Sequence, residues 1–130
     1  MTDENTGGKA VSLDGLKAVL DSMPIITTGT ATSTGAANTQ TATYEGTQDV
    51  YVNIGDIPKD KTKFYAIVES YDSKYVWAEI ASVNPLANEA SDSYYADKIR
   101  IKLHYKIMAN VATTNLQYVY INWVAITERK

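Results

Sequence analysis

The chain of 130 residues contains no cysteine and a single histidine. Without cysteine there can be neither a disulfide nor a thiolate metal site, and one histidine gives little support to a zinc site, which needs several ligands. No apolar run approaches the ~18 residues that a membrane-spanning helix needs. The first residues, 1–8, are acidic and polar, so we expect no secretory signal.

The chain also has little phenylalanine and a small net charge. The net charge is −3, which argues against a general affinity for nucleic acid. There is one Phe against ten Tyr and two Trp, and Tyr and Trp prefer places where one end of the ring is apolar and the other wet. This balance indicates either the ordinary preference of β-strands for Tyr or a large half-wet surface, as at subunit interfaces and sugar-binding surfaces.

Strict alternation is the clearest positive signal, and it is strongest at residues 98–108. Apolar side chains there alternate with basic ones; the apolar set is Ile99, Ile101, Leu103, Tyr105 and Ile107. Because a strand sends successive side chains to opposite faces, this segment predicts a long strand with one face in a core. The basic face has three interpretations: protection of an exposed sheet, ion pairs with Glu69 or Glu79 of another subunit, or capture of an anionic glycan.

The same pattern predicts further antiparallel strands separated by short turns. Strands are expected at residues 49–55, 63–70, 75–83 and 116–127, and hairpins at residues 71–74 and 109–114. The segment 27–47, with nine Thr, predicts two strands of small side chains at 28–34 and 39–44 around a turn at 35–38, or else a flexible linker. Strands that each bury one face pack as two sheets. We therefore expect a mainly β protein, an antiparallel β-sandwich of six to seven strands at residues 24–130.

One N-terminal α-helix is predicted at residues 11–23, after residues 1–10 that we expect to be disordered. Ser12 suits the N-cap, and Pro24 ends the helix. The spacing 3, 4, 3 of a coiled-coil stripe joins Leu13, Leu16, Leu20 and Met23. A helix of about three turns is too short to be stable alone, so it packs either on its own β domain or on copies of itself.

The last predicted strand, residues 116–127, is apolar on both faces. Val119, Ile121, Trp123 and Ala125 alternate with Tyr118, Tyr120, Asn122, Val124 and Ile126. A strand with one face in water should alternate more cleanly. The face with Tyr118, Tyr120 and Asn122 therefore predicts contact with another subunit, unless the N-terminal helix covers it.

Residues 121–126, Ile-Asn-Trp-Val-Ala-Ile, resemble the last strand of H-type-lectin-like domains, which occur in invertebrate agglutinins and, in related form, at phage tail-fibre tips. Residues 98–105 and 50–54 resemble two earlier strands of that family. The opening, residues 7–17, is similar to that of small prophage structural proteins, in which a short helix precedes a β tip. The resemblance implies a homotrimeric fibre protein, located in the virion or in the cytoplasm of a prophage-carrying bacterium.

A long loop at residues 84–97 is the best candidate for a ligand site, because long loops between strands are often functional. Sugars are bound by aromatic faces together with carboxylates and amides, and the candidate residues are Asn88, Asp92, Tyr94 and Tyr95, with Trp77 as a secondary candidate. The alternative is that these tyrosines pack back onto the domain or a neighbour.

Nothing in the spacing singles out a catalytic group. His104 has no partner marked by sequence, the acids are too many for any pair to be distinctive, and no glycine-rich phosphate loop is present. We expect a non-enzymatic phage or prophage fibre or receptor-binding protein without cofactor or metal. It would form a homotrimer, insert in no membrane, bind no nucleic acid, and in one version bind a host surface glycan. The alternative is a monomeric carbohydrate-binding or adhesion module.

Overall fold

The computed structural model describes residues 13–71, 74–89 and 92–129, without the side chains at positions 13, 20 and 21. The elements are α1 (Leu13–Ser22), β1 (Ile25–Thr32), β2 (Tyr44–Asn53), β3 (Thr62–Tyr71), β4 (Val76–Asn84), β5 (Lys98–Ile107) and β6 (Val119–Thr127), with short 3-10 turns at Lys59–Lys61 and Ala87–Glu89. The predicted disorder at residues 1–10 and the N-cap at Ser12 lie outside the described residues.

Two three-stranded antiparallel sheets form the domain, which confirms the predicted sandwich-like β architecture. The first sheet has the order β1-β6-β3 and the second the order β2-β5-β4. The predicted strands at residues 63–70, 75–83, 98–108 and 116–127 are all present, with ends that differ by up to three residues. The central strands β5 and β6 each pair along their length with two neighbours.

The core lies between the sheets, and β5 contributes to it the apolar face that alternation predicted. Ile99 and Ile101 of β5 are fully buried, as is Ile121 of β6, and Val50 and Val52 of β2 pack against the same cluster. Burying one such side chain stabilises the fold by about 1.5–3 kcal/mol. In β3, Phe64, Ala66 and Val68 share one face of the strand and also pack on this core.

Both predicted hairpins, at residues 71–74 and 109–114, are wrong. β3 pairs with β6 while β4 pairs with β5, so the chain changes sheet between β3 and β4, and again between β5 and β6. The Tyr71 hydroxyl donates a hydrogen bond of 2.9 Å to the Ala78 carbonyl and so ties the edges of the two sheets together. Turn residues predict only that the chain changes direction. Such a change occurs in a hairpin and also where the chain passes from one sheet to the sheet stacked on it.

The Thr-rich segment 27–47 does not form the two predicted strands, because β1 ends at Thr32 and β2 begins only at Tyr44. Residues 39–43 are not in a strand, and residues 35–38 do not form the predicted turn. Instead, Ala36 and Asn38 form isolated antiparallel bridges with Gln117 and Val111. The chain bends at residues 40–42, because the Asn38 side chain accepts a hydrogen bond from the Gln40 N–H at 3.1 Å and so replaces a strand partner.

The helix α1 lies apart from the sandwich in the described part of the chain. Leu16, Val19 and Met23 are 46%, 56% and 49% exposed, and α1 makes no extended contact with a described strand. Just after the helix, the Met23 carbonyl accepts a hydrogen bond of 3.0 Å from Arg129 Nε. The helix therefore does not cover the second face of β6 within the same chain.

Candidate functional site

The outer face of the first sheet, which points away from the second sheet, is mostly apolar and uncovered. Ile26 of β1 and Ile67 of β3 are each 63% exposed, and Tyr65 is 50% exposed. The strand registers place these side chains in rows across the sheet: Ile26–Ile126–Lys63, Thr28–Val124–Tyr65 and Thr30–Asn122–Ile67. Because β6 is the central strand, its second apolar face joins those of its neighbours into one surface.

A shallow depression of about 440 Å³ lies in this outer face. Tyr65, Ile67 and Val124 are among its lining residues, and it reaches Trp123 beside Gly29. A Cβ at Gly29 would lie 2.4 Å from the Trp123 indole, so only glycine leaves room for the ring here. The backbone of β1 therefore lies directly against a core side chain.

The predicted interface residues divide between this face and the helix. Tyr120 and Asn122 are half-buried on the outer face, and Tyr118 is half-buried just before β6. Leu16 on α1 and Met23 just after it are exposed, whereas the side chains of Leu13 and Leu20 lie outside the described set. The sequence analysis missed Ile26, Tyr65 and Ile67 as interface candidates, although the apolar second face of residues 63–70 carried that signal.

A cluster of three tyrosines lies at one end of the second sheet. Tyr94 and Tyr95, both predicted as ligand residues, meet edge to face with ring centres 4.9 Å apart. Tyr51 of β2 joins them, at 5.9 Å from Tyr95 and 6.4 Å from Tyr94. Sequence reasoning missed Tyr51, since only the fold brings β2 beside the loop.

Charged groups surround this tyrosine cluster. Lys98 Nζ lies 4.3 Å from the centre of the Tyr94 ring and 3.1 Å from Asp97 Oδ1. The hydrogen bond from Lys98 lowers the pKa of Asp97, and the nearby Tyr51 hydroxyl raises the pKa of Tyr95. The cluster thus combines aromatic rings with a carboxylate and an ammonium group.

The other predicted ligand residues do not all join the cluster. Asp92 shapes the loop, because its carboxylate accepts a hydrogen bond of 2.9 Å from the Tyr94 N–H, and Asn88 is exposed in the turn Ala87–Glu89. Trp77 of β4 pairs with Lys106 of β5. Lys106 is eight residues from Lys98 along β5, a distance of ~26 Å at the rise of a strand. Trp77 therefore lies at the opposite end of the sheet.

The basic row of β5 is paired within its own chain. His104 Nε2 lies 2.5 Å from Glu45 Oε2, and His104 Nδ1 lies 3.4 Å from Glu79 Oε2. Lys102 lies 3.8 Å from Asp49. The flanking strands β2 and β4 thus supply acids opposite the basic residues, as expected for a solvent-exposed sheet face. In the described ranges, no group of three or more His, Asp and Glu side chains is placed to hold a metal ion.

Comparison with known proteins adds no relative. No protein-family model matches the chain, and neither the curated proteins nor the solved structures give a significant match. Among the described residues, no helix has both the length and the apolar composition needed to cross a membrane.

Proposed function

We propose that this chain is a non-enzymatic structural protein of the phage or prophage fibre type that works as a homo-oligomer. The single observation that carries the proposal is the apolar outer face of the first sheet, on which Ile26 and Ile67 remain 63% exposed in one copy. Contiguous apolar surface of this kind marks interaction sites in soluble proteins. Its burial between copies would remove Tyr65, Ile67 and Ile126 from water together.

The isolated helix supports the same proposal. The described part of α1 has 10 residues, and isolated helices of about this length are at best marginally stable in water. Since Leu16 and Val19 of α1 and Met23 just after it are exposed, and α1 makes no extended contact with a described strand, copies of the helix are the partners that the coiled-coil spacing favours. Three copies in a bundle is the arrangement that we propose for this end of the molecule.

A mass measurement tests the proposal. Light scattering at micromolar concentration should give a multiple of the 14.3 kDa chain mass. Ile67→Lys and Leu16→Asp should each lower that mass, because they place a charge on a buried interface. Met108→Lys is the matched control, since Met108 is 48% exposed but lies outside both surfaces. A monomeric wild type would refute self-association. Equal effects of all three variants would refute the assignment of the outer face and the helix as the interfaces.

A second candidate function, a glycan-binding module, is favoured by the tyrosine cluster of Tyr51, Tyr94 and Tyr95. Tyr94 is 55% exposed beside Lys98 and Asp97, so its ring is accessible to a sugar. Tyr94→Ala should abolish binding on a glycan array, whereas Trp77→Ala, at the other end of the sheet, should leave it unchanged. Binding by a monomeric wild type would favour this module over the fibre protein, and the absence of any binding would exclude it.

A further inference from the structure

We propose that β1 pairs edge to edge with β1 of a second copy, in antiparallel orientation about a two-fold axis near Gly29. This inference rests on the proposed self-association but assigns a different contact, made by the backbone. In the described part of the chain β1 has β6 on one side and no strand on the other, so one row of its N–H and C=O groups is open to a partner.

Among the four edge strands, β1 alone lacks every feature that discourages pairing. β3 and β4 each contain a register shift, after Val68 and after Ile80, and both carry charged residues. β2 carries Glu45 and Asp49. β1, with the sequence Ile-Ile-Thr-Thr-Gly-Thr-Ala-Thr, has no charge, no proline and an uninterrupted register with β6. Bulges, charges and prolines are the means by which natural sheets block their edges.

The hydrogen bonds between β1 and β6 determine which backbone groups of β1 remain available to a partner. The Ser33 N–H donates to the Val119 carbonyl at 2.9 Å, on the odd-numbered side of the β1–β6 ladder. Since hydrogen-bonded positions alternate in antiparallel pairs, the even-numbered residues turn their N–H and C=O outward. These residues are Ile26, Thr28, Thr30 and Thr32.

A second copy of β1 fits this edge better than a foreign strand of unspecified sequence, because the edge is complementary to itself. With the axis at Gly29, Thr28 lies opposite Thr30 of the second copy, and no charge meets a like charge. Cross-strand Thr–Thr pairs are favourable. Gly29 falls in a non-hydrogen-bonded pair, where Cα atoms approach to ~4.5 Å, and it has no side chain to obstruct that approach.

Pairing would also cover an open part of the core. A depression of about 270 Å³ lies between the edges of β1 and β2 and reaches Trp123. The Trp123 Nε1 atom is buried there and, among the described residues, has no hydrogen-bond partner. A strand added beside β1 lies across this opening and continues the apolar outer face from one copy to the next.

A charge-reversal pair tests the contact and its register. Thr28→Lys/Thr30→Lys puts Lys opposite Lys across the axis, whereas the matched control Thr28→Lys/Thr30→Glu puts Lys opposite Glu. Thr28 and Thr30 are exposed on the outer face, so both variants keep the fold of one copy, which circular dichroism verifies. Native mass spectrometry and sedimentation then give, for each variant, the mass of the oligomer and its dissociation constant.

We expect the dissociation constant of the Lys/Lys variant to exceed that of the Lys/Glu variant by about tenfold or more, since the two differ only in the sign of the opposed charges. The two-fold contact gives an even number of copies, the helix bundle gives three, and both together give six. Equal dissociation constants for the two variants, whether both oligomers stay intact or both are weakened through the outer face, would overturn the β1 contact and leave the proposed function standing. A monomeric wild type would overturn both the β1 contact and the proposed self-association. The edge of β1 would then be available only to a strand of another protein.

Discussion

Replacement of Asn38 by Ala should destabilise the fold far more than its position in an irregular segment implies. Asn38 is 5% exposed, and its side chain organises the end of the sandwich. Its amide nitrogen donates to three carbonyl oxygens, those of Ala42 at 2.7 Å, Ile107 at 3.2 Å and Met108 at 3.3 Å. Its amide oxygen accepts from the Gln40 N–H at 3.1 Å.

The expected loss of stability depends on which of these hydrogen bonds water can replace in the variant. The bonds to Ala42 and Met108 are partly buried, so water can satisfy those carbonyls in the variant. The bond to the Ile107 carbonyl is buried, but that carbonyl keeps its ladder partner Tyr44 in β2, so only the net ~0.5–1.5 kcal/mol of one hydrogen bond is lost there. Loss of the bond to the Gln40 N–H adds ~1 kcal/mol. The free energy of unfolding should therefore fall by ~1.5–2.5 kcal/mol in total.

Asn53→Ala is the matched control. Asn53 Oδ1 likewise accepts from the backbone N–H two residues on, that of Gly55 at 2.8 Å, and its Nδ2 donates to Asp97, but these bonds are exposed. Its replacement should cost less than ~1 kcal/mol, because water replaces both partners. Urea unfolding at one protein concentration, followed by tryptophan fluorescence, measures both losses, provided that the slope is unchanged. Equal losses in the two variants would refute the argument.

Two further measurements probe the core and the tyrosine cluster. Gly29→Ala forces a methyl group to within 2.4 Å of Trp123 and should cost ~1–3 kcal/mol by overpacking. In Gly46→Ala the atoms nearest to the new Cβ belong to the exposed side chain of Tyr44, so an equal loss of stability there would contradict the overpacking argument. The pKa of Asp97 lies below the ordinary 3.8, so its carboxylate stabilises the fold above that pH and the contribution disappears as the pH falls. An NMR titration should show a higher midpoint in Lys98→Met, and an unchanged midpoint would contradict the assigned ion pair.

Part of each candidate site was predictable from sequence. Tyr94 and Tyr95 are adjacent, so one loop conformation brings both rings to the same place. Tyr51 lies more than forty residues earlier, and its alternation predicts only that it points away from the core. The pairing of β2 with β5 then sets Tyr51 opposite Arg100, next to the loop. The sequence contains no local signal for that meeting.

The same division applies to the interface surfaces. The apolar second face of β6 was evident, because alternation is read from neighbouring residues. Which strands flank it was not, since β1 precedes β6 by almost a hundred residues and β3 was expected in a hairpin with β4. The outer face becomes one apolar surface only because β1 and β3, each with an exposed Ile, lie on either side of β6.

By itself, the sequence determined the positions of four of the six described strands, the core-facing side of the strictly alternating strand β5 and the sandwich class, because the two-residue period of a strand and the burial of one face are local properties. Only the tertiary structure decided which strands are hydrogen-bonded, since strand pairing joins residues far apart in the chain and any strand with a suitable face can take any neighbour. That choice made β1 an unprotected edge, placed Gly29 against Trp123, and assembled the tyrosine cluster.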